Sequence, residues 1–229
     1  MKRLFKYVLT LLLTLFLTAA IQACHADYFS PYAFTVNGTQ VETEELESAM
    51  KRALIEAVLD CASRGYAYDI MDHLNIIDEL SKVMFDMEMD LVIREQAQLN
   101  GITLDEDDRA RAQEAAHEAM EHFLEIASSE SVMPFMPAGA YERRDNDPQG
   151  NLNRYLESFD LTEAALYEDE VTAILDEKLC LAAAGDLAGK TEEEKLVLFS
   201  DLHLLWYNDA DIRENGVATA EVVLSLTQK

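Results

Sequence analysis

Phe34-Thr35-Val36-Asn37-Gly38-Thr39-Gln40-Val41-Glu42-Thr43-Glu44-Glu45-Leu46 is the stretch that decides the fold. With Tyr32 and Ala33 ahead of it, alternating apolar side chains predict a brief strand, and Asn37-Gly38 predicts a tight turn. Thr43 offers an N-cap oxygen, and Glu44 and Glu45 fall in the first turn, where acids complement the helix dipole. Leu46, Met50, Leu54, Ala57, Val58 and Cys61 then recur at helical spacing, and Gly65 closes that helix. A strand of a few residues that turns directly into an amphipathic helix starts a mainly α domain.

Further helices follow downstream. The spacing predicts a second over about 68–100, with a stripe from Met71 to Val92 and Asn100-Gly101 as its stop. Thr103 with Glu106 fits a capping box for a third, to about residue 128. Between 129 and 151 Pro134, Pro137, Gly139, Pro148 and Gly150 break the period, predicting a loop or flap. Leu161-Thr162 opens a helix to about 184, and Thr191 with Glu194 caps another to about 209. Val222-Val223-Leu224-Ser225-Leu226 reads as a strand, expected to pair with 34–36 and bring the two ends of one domain, 33–228, together.

Upstream, Lys2, Arg3 and Lys6 precede an uncharged apolar run over 7–21. A basic start followed by a short apolar core is an export-signal pattern, too short for the roughly 20 apolar residues of a spanning helix. The expectation is a signal peptide at 1–23 and a spacer at 24–32. Ile21-Gln22-Ala23-Cys24 is similar to a bacterial lipobox, which makes Cys24 a lipidation candidate and the membrane a partner only through that anchor. Gln22 departs from the usual small residue there, and cleavage after Ala23 or Ala26 is the other reading.

The 229 residues carry 18 Lys and Arg against 44 Asp and Glu, a formal charge of −26. Without Lys2, Arg3 and Lys6 it becomes −29. A nucleic-acid binder needs basic patches to neutralise phosphate, so that class is excluded. The charge is foremost a solubility device; its functional reading is attraction for basic, unfolded clients.

No pattern of catalysis or metal binding stands out. His117 and His122 are five apart, which turns their rings away from each other around a helix, whereas zincin chemistry needs a spacing of four. Asp105-Glu106-Asp107-Asp108 lacks the alternation and central Gly of a calcium loop. There is no Gly-x-Ser-x-Gly elbow and no Cys with a nearby His, and His203, among Leu202, Leu204 and Leu205, reads as a packed or half-buried residue rather than a base. Cys61 and Cys180 can pair or stay free. Two groups of flexible side chains, Met84, Phe85, Met87 and Met89, and Met133, Phe135 and Met136, are candidates for an adaptable client-binding surface, although a Met stripe is ordinarily core.

The opening stretch resembles that of the SurA/PrsA-type foldase chaperones, where a strand reading "VNG" leads into an acidic helix start. Glu95-Gln96-Ala97-Gln98-Leu99-Asn100-Gly101-Ile102-Thr103-Leu104-Asp105-Glu106 resembles that family's helix end and next helix start, and Asp209-Ala210-Asp211-Ile212 echoes its C-terminal end. The likeness covers about 34–125 well. It implies a helical SurA N-terminal-like domain, exported, that binds unfolded or secreted polypeptides without a cofactor. The parvulin isomerase insert, with its Gly-rich segment and paired histidines, is missing, so prolyl isomerase activity is not expected, nor is the chain expected to be an enzyme. A structural or assembly surface lipoprotein with one fixed partner is the alternative.

Overall fold

The computed structural model describes residues 32–69, 72–136, 148–185, 187 and 189–227. The expected export segment, Cys24 and the centre of the expected flap lie outside them. The described residues are mainly helical, with three short strands and seven helices.

Strands β1 (Tyr32–Val36) and β2 (Thr39–Glu42) form an antiparallel hairpin in which Val36 faces Thr39. The two-residue turn needs positive φ at both central positions, and Asn37 and Gly38 supply it at 50° and 86°. The polar sequence of β2 hid it from periodicity, since only Val41 turns inward. Helix α1 (Thr43–Ser63) follows directly, but its cap is Glu42 instead of Thr43. The Glu42 N–H donates to Glu45 Oε2 at 2.8 Å, half of a capping box built with carboxylates.

Helix α2 (His73–Leu99) begins later than the stripe suggested, because Asp72 caps it by accepting from the Leu74 N–H at 2.9 Å. At its end Gly101 takes φ 67°, and the Ile102 N–H returns to the Ala97 carbonyl. In α3 (Glu106–Ser128) the capping box is Asp105–Asp108, not Thr103–Glu106. The break after α3 is shorter than expected. A 3-10 turn occupies Met133–Phe135, and Pro148, read from sequence as a breaker, starts helix α4 (Pro148–Glu157). Proline suits a first helical turn, where its missing N–H costs nothing.

Helix α5 (Glu163–Ala184) starts where Leu161-Thr162 predicts, with Thr162 as its cap, and α6 (Glu192–Asp209) carries the capping box read at Thr191 and Glu194. After α6, β3 (Ile212–Glu214) pairs antiparallel with β1, giving the order β2-β1-β3. Residues 222–226 are therefore not the partner strand; they lie in helix α7 (Gly216–Thr227). Two local facts decide this. Asn215 Oδ1 accepts from the Val217 and Ala218 N–H groups and starts a helix. The buried residues are Val222 and, four and three places before it, Ala218 and Thr219, which share one helical face, so packing overrides the β-branched propensity. Asn37 holds β3 in place: its N–H donates to the Asp211 carbonyl at 2.9 Å and its Oδ1 accepts from the Asp211 N–H at 2.7 Å.

The core has two centres that share α1. Ile55, Val58, Leu59 and Ala62 pack with α3, α4 and the turn ahead of α5 through Ala116, Leu152, Leu156 and Leu161. Leu46, Met50 and Leu54, on a neighbouring face of the same helix, pack with β1, α2 and α7 through Phe34, Val36, Ile76, Val92 and Val222. Among the described residues no helix is long and apolar enough to cross a membrane.

Candidate functional site

Between α1, α2 and α5 the helices do not close. Each turns one i, i+3, i+4, i+7 face toward the gap. These are Ala49, Arg52, Ala53 and Glu56 on α1, Val83, Asp86, Met87 and Asp90 on α2, and Asp169, Thr172, Ala173 and Asp176 on α5. A packed core would place Leu or Ile on those faces. Alanines and carboxylates instead leave a hollow of about 370 Å³. A second, wider lobe of about 710 Å³ runs on toward β2 and the start of α1, sharing Ala49, Arg52, Met87, Asp90 and Asp169 with the first. The two lobes make one groove.

Its charge is lopsided. Glu56, Asp86, Asp90, Asp169 and Asp176 line the deep lobe against a single cation, Arg52. In the wide lobe Glu44, Glu45 and Glu168 join Asp90 and Asp169, with Arg94 as the second cation. Both arginines are tied to α5: Arg52 Nη2 lies 3.2 Å from Asp169 Oδ1, while Arg94 donates to Thr172 Oγ1 at 3.1 Å and to Glu168 at 3.2 Å. Removal from water, with too few cations nearby, disfavours the ionised carboxylates. Burial pushes Glu56 up to about 7, against Arg52 and with Asp169. Burial likewise raises Asp90 to about 6, helped by Asp169, and raises Asp86 and Asp169. The groove therefore holds several carboxyl groups that a visiting cation would ionise.

The Met and aromatic candidates do not form this surface. Of the seven, only Met87 lines the groove. Met84 is buried in the β1-side core, Met89 is half-buried, and Phe85 is exposed and stacks on Tyr207 at 5.2 Å. Met136 is buried and Phe135 partly so in the other core, with Met133 exposed beside them. Met84 and Met136 thus belong to separate core clusters, because a Met on an amphipathic stripe is taken up by packing first, while Phe85 and Met133 stay at the surface.

At the inner end of the groove, Asp176 meets two residues that sequence reading kept apart. Asp176 and Cys180 share a face of α5 at i, i+4, and His203 reaches across from α6. His203 Nε2 lies 2.6 Å from Asp176 Oδ1 and 3.5 Å from Cys180 Sγ, and the thiol lies 3.4 Å from the same carboxylate oxygen. The expectation of no Cys–His pair is corrected here: the partners are 23 residues apart and meet only because α6 folds back on α5. His203 is half-buried, as its place among leucines suggests, and its side chain is bonded to Asp176. A catalytic triad uses both imidazole nitrogens, one for the nucleophile and one for the acid; here both neighbours are on Nε2. Burial, then the charge and hydrogen bond of Asp176, hold the Cys180 thiol up at about 12, far from a reactive thiolate. Cys61 and Cys180 are both free, so they do not pair with each other.

The remaining sequence candidates are surface pairs. His117 contacts Glu121 at 3.5 Å and Glu163 at 3.4 Å, an inter-helix link without His122. Asp105 and Asp108 cap α3 and pair with Lys178 of α5, which pulls Asp108 below the usual carboxylate range. With this geometry established, comparison with protein-family models, curated proteins and solved structures found no match to the chain.

Proposed function

We propose that this is an exported, lipid-anchored, chaperone-like protein that holds cationic stretches of unfolded or secreted polypeptides in the α1–α2–α5 groove, without isomerase catalysis. The carrying observation is the groove itself: open, floored by Ala49, Ala53 and Ala173, and walled by carboxylates that outnumber its two arginines. Small floor residues admit a peptide backbone, and desolvated carboxylates reward a Lys or Arg that ionises them. Nothing in the groove fixes one side-chain shape, which suits varied clients. The motif likeness to foldase chaperones supports the same reading, and the export pattern and Cys24 support the compartment.

The test is binding of labelled peptides of equal length, one alternating Leu and Lys, one alternating Leu and Glu, together with suppression of aggregation of a basic unfolded client. The basic peptide should bind, weaken several-fold as salt screens the groove, and weaken again in Asp90→Asn/Asp169→Asn. It should also bind more tightly at pH 7.5 than at pH 5, because Glu56 and Asp90 lose their protons in that interval. Equal binding of the acidic peptide, or an unaltered Asn double variant, refutes the proposal.

One observation favours the alternative of a fixed partner. Leu196, Val197, Leu204 and Leu205 leave α6 with an exposed apolar side, and none of its residues is buried. Crosslinking in cells separates the readings: many crosslinked clients for the first, one dominant partner lost on Leu204→Ser/Leu205→Ser for the second.

A further inference from the structure

We propose that Asp176, Cys180 and His203 form a binding site for one divalent cation of the zinc class, clipping α6 to α5 at the inner end of the groove. The site is independent of the peptide-binding reading, and it stands on geometry. Three different donor atoms converge within 4.8 Å of one another: a carboxylate oxygen, a thiol sulfur and an imidazole nitrogen. Zinc bonds of about 2.0 Å to N or O and 2.3 Å to S give tetrahedral edges of about 3.3–3.5 Å. The sulfur-to-oxygen and sulfur-to-nitrogen separations are already 3.4 and 3.5 Å. The nitrogen-to-oxygen separation is 2.6 Å, a hydrogen bond in place of an edge. Opening it by about 0.7 Å would complete the three-ligand cap.

The donor set also selects the ion. One S, one N and one O ligand suit borderline-soft divalent cations and disfavour calcium or magnesium, which take oxygen. Coordination transfers the thiol proton to solvent and leaves the imidazole neutral, with its Nε2 lone pair on the ion and its proton on Nδ1. Cys180 is fully buried, while the Asp176 and His203 side chains are about one-quarter exposed. The ion therefore keeps one position open beside the deep lobe that Asp176 lines. It would bring positive charge to a carboxylate-rich end of the groove. It would also secure α6, an 18-residue helix with no buried residue of its own.

The sole tryptophan of the chain, Trp206, provides a built-in reporter, its ring 5.9 Å from that of His203. The full chain, freed of metal with a chelator, is titrated with Co²⁺ and then Zn²⁺. Expected are one ion per chain, a thiolate-to-cobalt charge-transfer absorption that Zn²⁺ displaces, a change in Trp206 emission at the same equivalence point, and a higher melting temperature. Cys180→Ser should abolish the charge-transfer band. His203→Gln, a partly exposed site that leaves the core untouched, should weaken binding by at least about a hundredfold, beyond the usual effect of losing a ligand's outer partner. Cys61→Ser and Cys24→Ser should bind as the parent does. The proposal is overturned by an absorption that survives Cys180→Ser or vanishes with Cys61→Ser or Cys24→Ser. It is equally overturned by His203→Gln binding like the parent, or by no binding below millimolar Zn²⁺. If Cys180→Ser loses its helical circular dichroism, His203→Gln decides alone.

Discussion

Glu56 offers the sharpest test of how the groove is built. It lies on α1, one turn beyond Arg52, with Asp169 facing it from α5, and its carboxyl is raised from 4.5 to about 7, foremost by burial. A rise of that size corresponds to a ceiling of about 3 kcal/mol, each pH unit being worth about 1.4 kcal/mol. Water still reaches an open groove, which reduces the figure to about 1–2 kcal/mol. The sign follows from linkage. A carboxyl whose folded-state pKa is raised binds its proton more tightly in the native state, so its stabilising contribution is full below pH 4.5 and is lost as pH climbs to about 7. Glu56→Gln removes that loss. The opposing effect, loss of an i, i+4 attraction to Arg52, is worth only about 0.3–0.5 kcal/mol, so burial wins. Urea unfolding of parent and variant, followed by far-ultraviolet circular dichroism, should show equal stability near pH 4.5. At pH 8 the variant should be about 1–2 kcal/mol more stable, with an unchanged m-value. A variant that is less stable at pH 8, or a difference that stays the same at both pH values, would refute the picture of desolvated carboxylates in the groove.

Other contacts give equally direct outcomes. Glu88 is 3 % exposed, and its Oε2 accepts from the Tyr207 hydroxyl at 2.6 Å, while Oε1 has no partner among the described residues. Tyr207→Phe should cost about 1–3 kcal/mol by orphaning the carboxyl, and Glu88→Met in the same chain should recover most of it; a double variant no more stable than the single one contradicts this. Asn37→Ala strains the left-handed φ of 50° and removes the Oδ1 contact that seats β3. The expected loss is about 1–2 kcal/mol, and a thermal midpoint like that of the parent argues against Asn37 as the fastener. Leu156→Ala lies in the core centre remote from Trp206, yet α1 runs through both centres. The cavity should cost about 2–5 kcal/mol and lower the midpoints read by Trp206 fluorescence and by circular dichroism together; separate transitions would divide the chain into two folding units.

What was legible in the sequence was whatever depends on near neighbours. Asn37-Gly38 declared its turn because few residues accept positive φ, and Thr162 and Thr191 declared helix starts because a hydroxyl three residues before an N–H is a local event. The mainly helical class followed from the stripes. The same local logic misplaced two caps, Glu42 and Asp105, since neighbouring polar residues compete for one role and a shift of one or two positions decides which side chain reaches the N–H. It also took residues 222–226 for a strand, since β-branched residues favour either structure until burial selects a face. The Met and aromatic groups were candidates for an adaptable surface in the sequence, but packing took Met84 and Met136 into two different cores and left Phe85 and Met133 exposed.

The groove and the Asp176–Cys180–His203 cluster were decided by tertiary structure alone. The α1 and α5 faces of alanines and acids, and the α2 face of Asp86 and Asp90 beside Val83 and Met87, each look ordinary taken alone. Only the juxtaposition of three such faces makes a desolvated hollow and drives carboxyl groups toward neutrality. His203 joins Asp176 across 27 residues because α6 returns along α5. Short-range sterics and hydrogen bonding are written into neighbouring residues, whereas desolvation and the convergence of donor atoms exist only where distant segments share a volume.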